Sequence, residues 1–183
     1  MGPAFISSST QYITAPPILA ILIGETVYNL RGGLDYLVYE LFRLDTGETH
    51  SGTKFLIETS INEWNSHIPT PQTPAKQCRK MWLHRLTTAH QAALKALQPC
   101  YGCKWTKTLR DLSNTDKHRH LTLVEASVHH GGHGAIGVVG PVMVTTELTT
   151  KVAFDDGTLV TEMLDRLQKE VGAVIDRFHL DFK

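Results

Sequence analysis

The stretch that decides the fold is ILAILIGETVYNLRGGLDYLVYELFR, from Ile18 to Arg43. Its apolar residues recur at steps of three and four, the spacing that puts side chains on one face of an α-helix. These residues are Leu19, Leu22, Ile23, Val27, Leu30, Leu34, Leu37, Val38 and Leu41. The spacing predicts one long helix with a buried face. Gly32-Gly33 inside it costs about 1–2 kcal/mol relative to two alanines, so we expect another helix or a ligand to approach there.

The rest of the chain predicts further helices followed by a small sheet. Residues 1–15 have no helical period and indicate an extended arm. The further predicted helices cover residues 60–67, 75–86, 88–97, 106–120 and 161–178. Residues 121–160 alternate with a period of two and predict three or four short antiparallel strands, with a hairpin turn at Asp155-Asp156-Gly157. The expected fold class is therefore α+β in a single domain, with a helical part over 16–120, a small sheet over 121–160 and a closing helix over 161–183.

Composition narrows the function classes. The 183 residues, of which 42% are hydrophobic, suffice for one core. Lysine plus arginine (18) balances aspartate plus glutamate (18), so there is no general cationic field for nucleic acids or membranes. The most apolar stretch, Pro16 to Ile23, is far shorter than the roughly 20 residues that cross a bilayer. An odd set of three cysteines and no recognisable leader predict a cytoplasmic protein that does not enter the membrane.

A strip of polar residues accompanies the apolar face of the first helix. Arg31 and Asp35 are four residues apart, and Asn29 and Tyr36 fall on an adjoining stripe. One interpretation is a solvated helix face whose ion pair is worth only about 0.3–0.5 kcal/mol. The other is a functional site, favoured by the glycine pair that clears space beside the strip.

A second polar cluster, Ser113 to His120, is denser than an ordinary exposed helix face. Within it, Asn114 precedes His118 and Asp116 precedes His120 by four residues, and Lys117 and Arg119 add two cations. Such spacing can present a carboxylate-oriented imidazole, as in a general base. The alternative is a basic last turn, where cations suit the helix dipole.

Together the two strips predict a hydrolase-type site between two helices, acting on a phosphodiester or ester. The predicted catalytic residues are His118 as base, Asp116 orienting it, Arg31 and Arg119 stabilising an anionic group, and Asn29 and Asp35 positioning it. The predicted substrate contacts are Tyr36, Asn114 and Lys117. The alternative function is a non-catalytic helical module for binding or dimerisation, in which the same residues form a structural polar network.

Two further groups of residues have metal-ligand types without a complete ligand spacing. His129, His130 and His133 predict a surface loop that binds metal at most adventitiously. Cys100 and Cys103 have the two-residue gap of a zinc knuckle or redox pair, but no second CxxC accompanies them. We therefore expect no metal and no cofactor.

NLRGGLDYL (Asn29 to Leu37) and LSNTDKHR (Leu112 to Arg119) resemble an uncharacterised bacterial family that carries NLRSALDHL and LSNIDKHR-like segments. The resemblance extends from about Pro16 to Val124. The first motif is also similar to the Arg-x4-6-His motif of HEPN domains, helical bundles that often dimerise and in many cases cleave RNA without metal. Arg31 matches the arginine, whereas Tyr36 stands at the histidine position, and tyrosine is a poor base at neutral pH. The resemblance implies a homodimer and a small-molecule, nucleotide or RNA substrate.

Overall fold

A computed structural model describes residues 16–66, 81–114, 152–154 and 156–183 with their side chains, and residues 115–118 as helical backbone. Within these residues are five α-helices: α1 (Pro17–Thr46), α2 (Ile61–Asn65), α3 (Thr88–Ala96), α4 (Lys104–His118) and α5 (Val160–Phe178). Short 3-10 helices span Met81–Arg85, Pro99–Tyr101 and His179–Phe182. The predicted helices over 18–43, 60–67, 88–97, 106–120 and 161–178 are confirmed apart from their ends. The predicted arm and the first half of the helix over 75–86, residues 75–80, lie outside the described residues, and the second half forms the 3-10 helix Met81–Arg85.

The chain divides into two compact units. One consists of Met1–Ile21 and Leu121–Met163, and the other of Leu22–His120 and Leu164–Lys183. The described part of the first unit is the start of α1, the turn around residue 156 and the start of α5. The second unit contains most of the described helices and the cavity discussed below. The single domain expected from the sequence stays a prediction.

Helix α1 forms because its apolar spacing buries one face along most of its length. Val27, Leu34, Val38 and Leu41 are at most 1% exposed. Leu22, which the spacing put on the buried face, is instead 55% exposed. The helix ends where Gly47 takes a left-handed conformation (φ 69°) and its N–H bonds the carbonyl of Arg43 at 2.9 Å.

The connection from α1 to α2 is anchored by a buried polar side chain of the larger unit. Gln98 is 1% exposed, and its side-chain oxygen accepts a hydrogen bond from the backbone N–H of Glu58 at 2.9 Å. The Gln98 amide nitrogen donates to the carbonyl of Leu94, also at 2.9 Å. Because both ends of the amide are satisfied, its burial is tolerated. The bond to Glu58 therefore fixes the segment after α1 against the end of α3.

The predicted antiparallel sheet, and with it the α+β class, is wrong for the part of the chain that the structure describes, which is mainly helical. Most of the predicted strand residues, 121–151, lie outside that part. Over residues 152–160 a turn does form: Gly157 has φ 81°, and the N–H of Phe154 bonds the carbonyl of Thr158 at 2.9 Å. It closes only one isolated antiparallel bridge, Ala153 to Leu159. The reason is that Val160 already belongs to the helical spacing of α5, so no return strand develops.

Candidate functional site

A cavity of about 320 Å³ lies in the larger unit and is bounded by three parts of the chain. Helix α1 contributes four lining residues, α4 contributes three, and the segment before α2 contributes two. The lining residues are Tyr28, Arg31, Gly32, Asp35, Lys54, Ile57, Arg110, Ser113 and Asn114. A cavity of this size is at the small end of those that hold organic ligands, about 300–1,000 Å³.

The two adjacent glycines of α1 have different surroundings. A Cβ atom built on Gly33 would lie 3.8 Å from Cδ1 of Ile175 on α5, which is ordinary packing contact. A Cβ atom built on Gly32 would meet nothing within 4 Å, and Gly32 lines the cavity. Gly33 thus lies where α5 packs against α1, and Gly32 leaves open space on the cavity side.

The i,i+4 pair on α1 binds both backbone polar groups of one residue. Asp35 Oδ1 accepts a hydrogen bond from the N–H of Phe55 at 2.8 Å, and the Arg31 guanidinium donates to the Phe55 carbonyl. Arg31 Nε and Asp35 Oδ1 are 3.6 Å apart. The Phe55 side chain is buried at 1% exposure, with the Arg31 guanidinium 5.9 Å from its ring centre. The pair therefore holds the extended segment that carries Lys54 and Ile57.

Helix α4 is tied to the same part of the chain. Arg110 donates from its guanidinium to the hydroxyl of Thr59 at 3.2 Å. Buried Leu109 and Trp105 fix the orientation of α4, and Thr106, fully buried, donates to the carbonyls of Leu97 and Cys103. Arg110 is therefore held at the cavity by a helix with an anchored first half.

Positive charge predominates around the cavity. The described residues of its lining include three cations, Arg31, Lys54 and Arg110, and one carboxylate, Asp35, which gives these residues a net charge of +2. Burial lowers the pKa of the Arg31 guanidinium; the Asp35 carboxylate opposes that shift, and the positive charge of Arg110 adds to it. The cations thus repel one another in a partly desolvated place, and a bound anion would relieve that repulsion.

The predicted site residues differ in where they lie. Arg31, Asp35 and Asn114 all line the cavity described above. Asn29 and Tyr36 are exposed on α1 outside the lining, with Tyr36 75% exposed. Of the remaining predicted residues, Asp116, Lys117 and His118 belong to the last turn of α4 as helical backbone, and Arg119 lies outside the described residues.

Sequence reasoning missed two cations of the lining, Lys54 and Arg110. A signal for Arg110 existed, since it precedes Asn114 by four residues and so shares a helix face with it. For Lys54 no local signal existed. Its place depends on the hydrogen bonds of Phe55 to α1 and of Glu58 to Gln98, which are contacts between residues 20 to 40 positions apart.

Residues of metal-binding type occur both inside and outside the described part of the chain. Among the described residues, no three histidine, cysteine, aspartate or glutamate side chains come together as a metal site. Cys100 and Cys103 are free thiols of intermediate exposure, and burial raises the pKa of Cys100, with the nearby carboxylates of Glu58 and Glu63 adding to the shift. His129, His130 and His133 lie outside the described residues. The expectation that the chain binds no metal stays a prediction.

Comparison with protein-family models, with curated proteins and with solved structures found no match. The resemblances stated on the two sequence motifs therefore stay predictions. Among the helices that the structure describes, none is both long enough and apolar enough to cross a membrane.

Proposed function

We propose that the cavity binds an anionic ligand and that the chain is a hydrolase which cleaves a phosphodiester or ester bond of that ligand. The observation that supports binding is the charge of the described lining residues, three cations against one carboxylate that is already bonded to Phe55 and paired with Arg31. In a partly desolvated cavity, such charges bind an anion and stabilise negative charge that develops in a transition state. Arg110 and Lys54 are the cations proposed to contact it.

Because residues two apart on a helix do not face each other, Asp116 of α4 is not proposed to orient the base. The general base proposed for this reaction is His118. It stands four residues after Asn114, a lining residue, in the same helix. One helical turn is about 5.4 Å, so the backbone of His118 lies one turn beyond the cavity lining. Asn114 and Ser113 offer an amide and a hydroxyl that can orient the ligand. Arg31 and Asp35 are proposed to position the cavity wall through Phe55.

The test is a hydrolysis screen combined with a variant that fills the cavity. The substrates each carry negative charge: mono-p-nitrophenyl succinate as the ester, bis(p-nitrophenyl) phosphate and a short RNA. Gly32→Leu places a side chain where nothing lies within 4 Å of the new Cβ, so it should abolish activity without lowering the midpoint of thermal unfolding. Gly33→Ala, which makes ordinary contact with Ile175 away from the cavity, is the matched control and should keep activity. Activity unchanged in Gly32→Leu would exclude this cavity as the site.

A second candidate is a non-catalytic helical binding module. It is favoured by the bonds of Arg31 and Asp35 to the Phe55 backbone, because both side chains then have a structural role without any reaction. This candidate predicts that anions bind in the cavity while no substrate of the screen is turned over. Binding measured by calorimetry alongside the screen distinguishes the two functions.

A cytoplasmic location and a homodimer are also proposed. The free thiols of Cys100 and Cys103 support a reducing compartment, where thiols persist. The homodimer rests on the resemblance to HEPN domains. Light scattering coupled to size-exclusion chromatography tests it, since a dimer of a 20.4 kDa chain has twice that mass.

A further inference from the structure

The three cations of the cavity differ in whether a nearby carboxylate neutralises their charge. The Arg31 guanidinium donates to the Phe55 carbonyl and faces Asp35, the one carboxylate among the described lining residues. The charges of Arg31 and Asp35 therefore neutralise each other. The other two cations contribute charge that no carboxylate among the described lining residues neutralises, because Arg110 bonds the uncharged hydroxyl of Thr59 and Lys54 is an exposed residue. Two positive charges are therefore left for a ligand.

The remaining lining groups indicate what kind of molecule carries the anion. Tyr28 offers an aromatic ring, 64% exposed as a residue, and Ile57 is a buried apolar residue of the lining. These two suit an apolar or planar organic group. Ser113 and Asn114 add neutral hydrogen-bonding groups beside Arg110 on α4. The volume of about 320 Å³ suits a small molecule or the end of a larger one.

We infer that the ligand carries a terminal phosphate monoester, whose two negative charges are matched by Lys54 and Arg110 and whose organic group contacts Tyr28 and Ile57. This inference rests on the proposed function and narrows its ligand class. A phosphate monoester changes from one to nearly two negative charges as pH rises through about 6, whereas a sulfate monoester keeps one. The dianion gains more from two cations than the monoanion does.

The experiment compares phenyl phosphate with phenyl sulfate, which differ in charge at nearly equal shape. Calorimetric titration of the full chain at pH 7.5 should give about tenfold tighter binding of the phosphate. At pH 5 the two should bind within about twofold of each other. Protonation of the protein's own histidines affects both ligands, so the ratio of their affinities isolates the charge of the ligand. Inorganic phosphate is a third ligand and should bind more weakly than phenyl phosphate.

Single substitutions test which residues provide the positive charge that binds the phosphate. Lys54→Gln and Arg110→Gln should each weaken phenyl phosphate binding about tenfold and reduce its advantage over phenyl sulfate. Lys107→Gln is the matched control, since Lys107 is an exposed cation of α4, paired with Asp111 and outside the lining. It should change neither affinity. Thermal unfolding of each variant confirms that it is folded, and Lys54→Gln, at an exposed position, keeps the test valid should Arg110→Gln be unstable.

The possible results distinguish the phosphate specificity, the apolar contacts and the anion site itself. Equal affinity for phosphate and sulfate esters at pH 7.5 would overturn the phosphate inference and leave the proposed anion site intact. Equal affinity for inorganic and phenyl phosphate would overturn the part played by Tyr28 and Ile57. If none of the three ligands bound, the inference and the proposed function would fall together. Binding that both Lys54→Gln and Arg110→Gln leave unchanged would place the phosphate elsewhere.

Discussion

Two of the acid-base pairs to which helix α1 contributes differ in their surroundings. Near its middle, Arg31 and Asp35 border the cavity, with side chains 23% and 38% exposed. At its end, Asp45 pairs with His90, and these side chains are 5% and 11% exposed. The first pair is open to a ligand, and the second is enclosed by protein. Position on the same helix therefore does not decide the role of a charged residue.

The enclosed pair is part of a network of polar contacts. Asp45 Oδ2 accepts from the Thr87 N–H at 2.6 Å and faces His90 Nδ1 at 2.8 Å. On the other side of the imidazole, Nε2 is 3.6 Å from Asp181 Oδ2, and the Phe178 ring lies 5.9 Å away. The network joins the end of α1 to the start of α3 and to the last turn of the chain. The low exposure of Asp45 and His90 and their contacts with protein groups indicate a structural role.

The largest expected effect is a loss of activity on substitution of His118, the proposed base one helical turn beyond the cavity lining. His118→Ala should lower any hydrolysis found in the screen by about 10²- to 10⁴-fold, as expected for a lost general base. The midpoint of thermal unfolding should stay nearly constant, so that activity and stability separate. Steady-state kinetics and a thermal scan on the same preparation measure both. Full activity with full stability would remove His118 from the proposed mechanism.

The largest effect on stability is expected in the enclosed network. Asp45→Ala leaves the Thr87 N–H and the His90 ring without their acceptor, which should cost about 2–4 kcal/mol. For a chain of this length the unfolding midpoint should fall by roughly 5–15 °C. Asp165→Ala is the control, because that carboxylate is exposed and its pair with Lys169 is a surface pair. Similar midpoints for the two variants would contradict the comparison.

Asp35→Ala should have an intermediate effect. It removes the acceptor of the Phe55 N–H from a part-buried place where water can partly replace it, so we expect a loss of about 1–2 kcal/mol. Because the variant also removes negative charge from the lining, phenyl phosphate should bind no more weakly than before. Asp35→Asn retains an acceptor and should lose less stability. Denaturant unfolding and calorimetric titration test these expectations, and a loss as large as that of Asp45→Ala would refute the difference in enclosure.

The smallest effect is expected at Gly32. Gly32→Ala adds a methyl group in open space within a helix, so the free energy of unfolding should rise by about 0.5–1 kcal/mol. Gly33→Ala, which meets Ile175 at ordinary distance, should gain a similar amount. Only Gly32→Ala should weaken phenyl phosphate binding, since only that glycine lines the cavity. Equal binding by both variants would mean that the ligand does not reach Gly32.

Local sequence spacing accounts for much of the described fold. Helices α1 and α5 follow from apolar residues three and four apart, and α3 from its threonine cap. The strand prediction at 158–160 failed because a short apolar run fits a strand or a helix equally, and the longer helical pattern of α5 prevailed. Local spacing also singled out Arg31 and Asp35 as a polar pair on α1. It could not distinguish an open pair from an enclosed one.

The sequence by itself determined the helices and the position of Arg31, Asp35 and Gly32 on one of them, since helix periodicity relates neighbours within two turns. Only the tertiary structure decided which charges meet. Asp45 and His90 are 45 residues apart, and Lys54 comes to the cavity through backbone bonds of Phe55 to α1. Such pairings depend on how elements pack together, and no periodicity along the chain encodes them. For that reason the enclosed network and the net positive charge of the cavity became visible only in three dimensions.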